Sequence, residues 1–356
     1  MTTLSVSAPQ TAPVLPRECT FDAADWAILA QHWYPVALSR EVTGAPLAVR
    51  LLDEPLVAYR VNGSVVVAGD ICPHRGVPLS MGGGDGSGIT CAYHGLRFGE
   101  GGACVHVPAH PTAKIPAKLN LRTYPAVERH GLVWTCLRPE PQHVADPATA
   151  PIPPMPHWDD AGFQQINCPV VDIAAFAGRQ LEGFIDVAHF GFVHKDTFGD
   201  PDDTFVPDYT PVPHERGFSV DYWSTVGNYP HGAKRGEPGF QWLRHFDVHL
   251  PFTATLVIHF PGEARLSIMN AASPVSARRT RMFSPMARNF DTDQPLQDVY
   301  DFNLTIFEED QAIVERQKPE NLPLDPRLEV HIPADRSSIA YRRGLRELGL
   351  SHFFTA

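Results

Sequence analysis

Nowhere in the 356 residues does an apolar run approach the ~18 residues of a membrane span. Before Arg17 there is no basic residue and no apolar core, so no secretory signal is expected. Both absences lead to the expectation of a cytoplasmic protein without membrane attachment. Charged residues make up only 19%, and the net charge of −11 leaves no basic stripe for nucleic acid. No internal repeat is visible. Proline, by contrast, is abundant: 35 residues, roughly double the ~5% norm, which excludes a coiled coil and favours short strands and turns. The apolar fraction of 43% supports packed cores, and the length suggests two domains. Six cysteines (Cys19, Cys72, Cys91, Cys104, Cys136 and Cys168) in a reducing compartment point to metal ligation rather than disulfides.

Residues 1–24 are rich in Thr, Ser, Pro and Ala and read as frayed; a short helix is expected over Trp26–His32. Leu56–Val61 and Ser64–Ala68 flank Asn62-Gly63, a type I′ hairpin signal. Pro139 to Pro156 reads as a linker, with a boundary near residue 148. The expected organisation is an N-terminal segment 1–27, a first domain 28–148 and a second domain 149–356. The second half opens with a helical segment around Ala174–His189. Strand-like runs follow at Phe218–Val226, Phe240–His249, Thr253–Phe260, Arg265–Ala271 and Thr280–Arg288, antiparallel because few helices intervene. Helices are expected over Pro295–Gln317, capped by Asp293, and over Asp335–Leu348. The fold class is α+β.

Two residue constellations carry chemistry. In the first, Cys72-Pro73-His74 is followed after sixteen residues by Cys91-Ala92-Tyr93-His94. Two Cys and two His suit tetrahedral zinc or a Rieske 2Fe–2S centre. Zinc fingers usually pair Cys with Cys and His with His; here each short loop carries one of each. That pattern delivers two thiolates to one iron and two imidazoles to the other, and favours the cluster. The glycines Gly82–Gly88 lie between the loops and read as a turn.

The second constellation is Glu182-x3-Asp186-x2-His189-x4-His194. Asp186 and His189, at i and i+3, would share a helix face. His189 and His194, at i and i+5, lie about 140° apart on a regular helix and reach one ion only if the helix breaks, for which Gly191 is placed. A two-histidine, one-carboxylate set with open positions is the usual site of non-haem Fe(II) oxygenases. The third ligand is assigned to Asp310. It falls on the apolar face of Pro295–Gln317 with Ile306, Phe307, Ile313 and Val314, where an unpaired carboxylate would be costly. Glu308 and Glu309 read as solvated. The remaining thirteen histidines read as ordinary surface or core residues.

Cys72-Pro73-His74-Arg75-Gly76 with Cys91-Ala92-Tyr93-His94-Gly95 resembles the cluster motif of the Rieske non-haem iron oxygenases, with Leu96 where many members carry Trp. Val107-Pro108-Ala109 resembles the loop that covers the cluster. Glu182, Asp186, His189 and His194 are similar to that family's mononuclear-iron motif, and Phe307-Glu308-Glu309-Asp310 to the segment supplying its carboxylate. The resemblance implies an all-β Rieske domain followed by a helix-grip catalytic domain. It implies one 2Fe–2S cluster and one Fe(II) per subunit. Electrons would come from NAD(P)H through a separate reductase or ferredoxin, and the assembly would be a homotrimer. It also implies that Asp186 is no ligand but bridges a cluster histidine of a neighbouring subunit to an iron-ligating histidine. The layout and Ile339-Ala340-Tyr341-Arg342 are most similar to vanillate and dicamba O-demethylases and methylxanthine N-demethylases. The implied reaction is mono-oxygenation, by demethylation or hydroxylation, of a small aromatic or heteroaromatic compound with O2, in a pocket lined from Thr253–Phe260, Arg265–Ala271 and the two metal-bearing helices. Ring dihydroxylation, a cluster-only electron carrier or redox sensor, and a zinc-stabilised binding module remain alternatives.

Overall fold

The computed structural model describes residues 14–225, 227, 237 and 239–351. Helix α1 (Ala23–Leu29) begins earlier than expected because Asp22 accepts a hydrogen bond from the Ala24 N–H at 3.0 Å. The chain just before it is not frayed. Thr20 donates from its amide and its hydroxyl to Asp53, both at 2.8 Å.

Three small antiparallel sheets follow. Strands β1 (Tyr34–Leu38), β10 (Ala126–Arg129) and β11 (Leu132–Thr135) make one; β2 (Leu47–Leu51), β3 (Glu54–Val61), β4 (Ser64–Gly69) and β9 (Thr123–Tyr124) make the second. The β3–β4 hairpin turns at Asn62 (φ 51°) and Gly63 (φ 87°), the two positive φ values a type I′ turn requires. The third sheet, β5 (Gly83–Gly84), β6 (Ile89–Thr90), β7 (Arg97–Phe98) and β8 (Cys104–His106), is a meander that carries the second Cys/His loop between β6 and β7. The glycine run is therefore a hairpin between the ligand loops.

The proline-rich stretch is packed, not a free linker. Pro141 starts α2 (Pro141–Ala145), Pro147 starts a 3-10 turn, and Ala150, Ile152, Met155 and Trp158 are buried. They seal a core between Trp134 of β11 and Met269 and Phe283 of the second half. Proline there fixes an extended path along a core.

The second half is one nine-stranded antiparallel sheet. Its strands are β12 (Gln164–Asn167), β13 (Val171–Ile173), β14 (Val212–His214), β15 (Gly217–Ser224), β16 (Trp242–His249), β17 (Thr253–His259), β18 (Arg265–Ser276), β19 (Arg279–Phe283) and β20 (Pro285–Arg288). The expected strands are present with three changes. Strand β18 is longer, Ser284 divides Thr280–Arg288 into β19 and β20, and Val226, at the end of the run expected from Phe218, lies outside the described residues. Helix α3 (Ala177–Ile185) packs on β17–β19, α5 (Leu296–Val314) sets Val299 and Phe307 against Ile166 and Met286, and α6 (Arg336–Glu347) packs on α3 and β15. This is the expected α+β architecture, a sheet holding helices. No described helix is long and apolar enough to cross a membrane.

A buried ion-pair network ties α6 to α3. Arg342 donates to both carboxylate oxygens of Glu182 at 2.6 and 2.8 Å and meets Glu329 at 2.6 Å, while Arg179 reaches Glu329 at 2.8 Å. Glu182 thus holds the scaffold and does not face the histidines.

Candidate active site

The two Cys/His loops are near copies in backbone. The Cys72 N–H donates to the carbonyl of Val77 and the Gly76 N–H to that of Cys72, at 2.8 and 2.9 Å. The Cys91 N–H donates to Leu96 and the Gly95 N–H to Cys91, at 2.9 and 3.0 Å. Gly76 (φ 74°) and Gly95 (φ 67°) close the two turns in the left-handed region. Cys72 and Cys91 are each 2% exposed, whereas His74 and His94 are exposed, with ring centroids 4.7 Å apart. Burial raises the Cys72 thiol pKa, and the neighbouring Cys91 raises it further, so a cation there would favour the Cys72 thiolate. Two inner thiols and two outer imidazoles fit a two-iron cluster. Pro108 lies against Gly95, where a Cβ would meet its Cγ at 3.1 Å, so the Val107–Ala109 segment does cover this end. Cys19, Cys104, Cys136 and Cys168 are free thiols outside the two loops, and Cys104 shares the buried core on which the loops sit.

About the second constellation the structure makes several corrections. Asp186 and His189 do not share a helix face. Helix α3 stops at Ile185, Asp186 is extended (φ −75°, ψ 131°), and its carboxylate accepts from the Ala188 N–H at 2.7 Å. A four-residue helix α4 (Phe190–Val193) then separates His189 from His194. One break falls at Asp186, before both histidines; between them the chain makes only this single short turn, which ends at His194 (φ −100°, ψ 22°) and not at Gly191. Gly191 serves packing instead, since a Cβ there would meet the Asp200 carbonyl oxygen at 2.8 Å.

His189, His194 and Asp310 converge. The two Nε2 atoms are 3.1 Å apart, and Asp310 Oδ1 lies 3.5 Å from His189 Nε2 and 3.1 Å from His194 Nε2. Among the described residues they form the one group of three whose ligand atoms all lie within 4.8 Å of one another. That triangle is the size and composition a two-histidine, one-carboxylate iron site needs. Burial would lower the His189 pKa, but Asp186 and Asp310 raise it to about 9. Burial would raise that of Asp310, but both imidazoles hold it below the usual carboxylate range. The site is electrostatically built for a cation. Asp310 meets imidazoles, not an arginine.

Glu309 is not solvated. Its Oε2 accepts from His194 Nδ1 at 2.7 Å and from the Thr197 hydroxyl at 2.9 Å. Ile313 is the reverse case, expected inside and 50% exposed. Helix α5 starts at Leu296 and takes no side-chain cap from Asp293; its inward seam runs through Val299, Phe307, Asp310 and Val314. His189 Nδ1 lies 4.0 Å from Asp186 Oδ1, which reaches the surface.

Beside the triangle is a mainly apolar cavity of about 200 Å³. The expected segments contribute Leu256, Leu266 and Ile268; α3 gives Phe184 and α5 gives Phe302 and Ile306. Met286 and Arg288 of β20, with Gln294, also line it, and no ligand-type pattern in the sequence marks them.

Residues 32–125 match the Rieske [2Fe-2S] domain family, and residues 173–350 match the vanillate O-demethylase oxygenase C-terminal domain. The chain is 31% identical over 341 residues to methylxanthine N1-demethylase NdmA of Pseudomonas putida, covering 91% of this chain and 90% of that protein. The chain belongs to the Rieske oxygenases. This oxygenase is also 28% identical to methylxanthine N3-demethylase NdmB of the same organism, over 92% of this chain and 91% of the relative. The solved NdmA structure superposes on the oxygenase with a TM-score of 0.76 at 29% identity, covering 91% of each chain. The chain is thus an oxidoreductase, the oxygenase component of a system in which a separate reductase supplies electrons, and it carries a Rieske 2Fe–2S domain beside a non-haem iron oxygenase domain.

Proposed function

We propose that the protein mono-oxygenates a small aromatic or heteroaromatic compound, by oxidative demethylation or hydroxylation. The observation that carries this reading is the convergence of His189, His194 and Asp310 on one apolar cavity. His189, His194 and Asp310 would hold Fe(II), Cys72 and Cys91 the inner iron of the cluster, and His74 and His94 the outer iron. Bound there, the two metal centres supply electron delivery and dioxygen activation.

The chain's own residues do the rest. Glu309 holds His194 with its Nε2 lone pair facing the site. Phe198 stacks on that ring at 4.6 Å and fixes its plane. The apolar walls exclude water around the substrate. Asp186, reachable from the surface and beside His189, would accept a hydrogen bond from His74 or His94 of a neighbouring copy. Exposed His74 and His94 suit such a contact, which supports a head-to-tail homotrimer. We further propose domains of 28–148 and 149–356 after an N-terminal segment 1–27, NAD(P)H as the electron source through the reductase, and a cytoplasmic setting.

The test is oxygen uptake by the iron-loaded protein with a compatible NAD(P)H-linked reductase, over a panel of methoxyarenes, N-methyl heterocycles and unsubstituted arenes. The reading requires reductase-dependent formation of formaldehyde or of a hydroxylated product. A protein that retains its iron and oxidises none of the panel would refute it.

A further inference from the structure

Strand β20 runs along the cavity with Met286 and Arg288 on one face. Arg288 pairs in register with Leu266 of β18 on one side and Gln164 of β12 on the other. It is 4% exposed. Its guanidinium donates to Gln164 Oε1 at 3.0 Å, to Gln294 Oε1 at 3.0 Å and to the Asp291 carbonyl oxygen at 2.7 Å. All three acceptors are neutral. Among the described residues no carboxylate lies within ion-pair distance of it, whereas the buried Arg179 and Arg342 are paired with glutamates; Arg244, also buried, donates to the Ser224 hydroxyl and the Gly227 carbonyl and does not line the cavity.

A buried guanidinium without a counter-charge is costly unless a ligand supplies one. Three of its five N–H groups are used, one on each of its nitrogens, so each terminal nitrogen keeps one to give. The neutral acceptors fix the plane of the fork without discharging it, which suits capture of a planar anion. Asp310 is the one carboxylate among the residues lining the cavity, and it faces the two imidazoles.

We propose that the substrate is an arene carboxylate whose carboxylate pairs with Arg288, with the carbon to be oxidised lying at His189, His194 and Asp310. This rests on the oxygenase reading of the same cavity and narrows it. It also separates this chain from relatives named for methylxanthines, which carry no carboxylate.

The test is calorimetric binding to the iron-loaded protein without reductase, so that no turnover is needed. The probes are 3- and 4-methoxybenzoate, the matching methoxybenzamides, and 1,3,7-trimethylxanthine. A carboxylate should bind at least about tenfold tighter than its amide and than the xanthine, as a charge-assisted pair predicts. Arg288→Gln should bring carboxylate and amide affinities to within about threefold of each other, while Arg288→Lys should keep most of the preference. Equal binding of amide and carboxylate, tighter binding of the xanthine, no binding of either carboxylate, or a preference that survives in Arg288→Gln would each overturn the proposal. Should Arg288→Gln not fold, the wild-type and Arg288→Lys ratios decide alone. Failure of the oxygenase reading looks different: iron is not retained, or oxygen uptake never depends on reductase, whatever the binding preference.

Discussion

Glu309 accepts the Nδ1 proton of His194 at 2.7 Å, and this fixes the chemistry of the opposite edge of that ring. An ionised carboxylate can only accept, so Nδ1 carries the hydrogen and Nε2 is left bare, facing His189 Nε2 and Asp310. Removing this anchor should weaken the iron site without touching the fold. Glu309→Leu is expected to lose roughly 10–100-fold in iron affinity, and Glu309→Gln less, with the visible spectrum of the cluster unchanged. Competitive chelation of the mononuclear iron measures it.

Asp186 is held by its own backbone contact to Ala188, which an asparagine oxygen can also make. Asp186→Asn is therefore expected to load both metal centres normally and to lose turnover by roughly 100-fold or more, because the proposed link to a neighbouring copy would need the charge. Iron content, cluster spectrum and reductase-driven rate, measured together, check this. Full activity would remove Asp186 from the electron route.

Arg342 is buried and shares Glu182 and Glu329 with Arg179. Arg342→Met leaves buried carboxylates short of a partner, at a cost of about 3–5 kcal/mol. The expected fall in unfolding temperature is about 4–7 °C in a thermal scan. A double replacement of Glu182 and Arg342 by apolar residues should recover part of it.

His32 gives a pH dependence with a definite sign. Burial lowers its pKa to about 4, against an ordinary value of 6.5. Above pH 6.5 the ring is neutral folded or unfolded and contributes nothing. Between pH 6.5 and 4 the unfolded chain binds a proton that the folded chain refuses, so stability falls as pH falls, by up to about 3 kcal/mol. His32→Gln should flatten the decline of unfolding temperature across that window and leave pH 8 behaviour little changed. Parallel curves for the two proteins would contradict it.

The cluster loops were legible because their chemistry is local: four ligands and two glycines in two short matched segments, Cys72–Gly76 and Cys91–Gly95. His189, His194 and Asp310 could be picked out by residue type and by the apolar company of Asp310. Their geometry could not, because it rests on α4 being only four residues long with His189 and His194 at its two ends, which no spacing announces. Glu309 was misjudged for a related reason. It is one of three consecutive acids on α5, and only the packing of the His189–Thr197 segment beside that helix decides which of them meets a histidine. The proline-rich stretch misled because composition reports stiffness, not burial; Ile152, Met155 and Trp158 give it a core to lie on. Arg288 sits in an ordinary-looking strand, and its lack of a counter-charge is a property of the folded surroundings alone.

Iron and acid-labile sulfide, counted on the purified protein and on His189→Ala, His194→Ala and Asp310→Ala, test the central claim most directly. The account predicts about three irons for every two sulfides in the wild type, falling to about two in each variant, with the Rieske spectrum intact throughout. A wild-type count of two, or a third iron that survives all three substitutions, would contradict it.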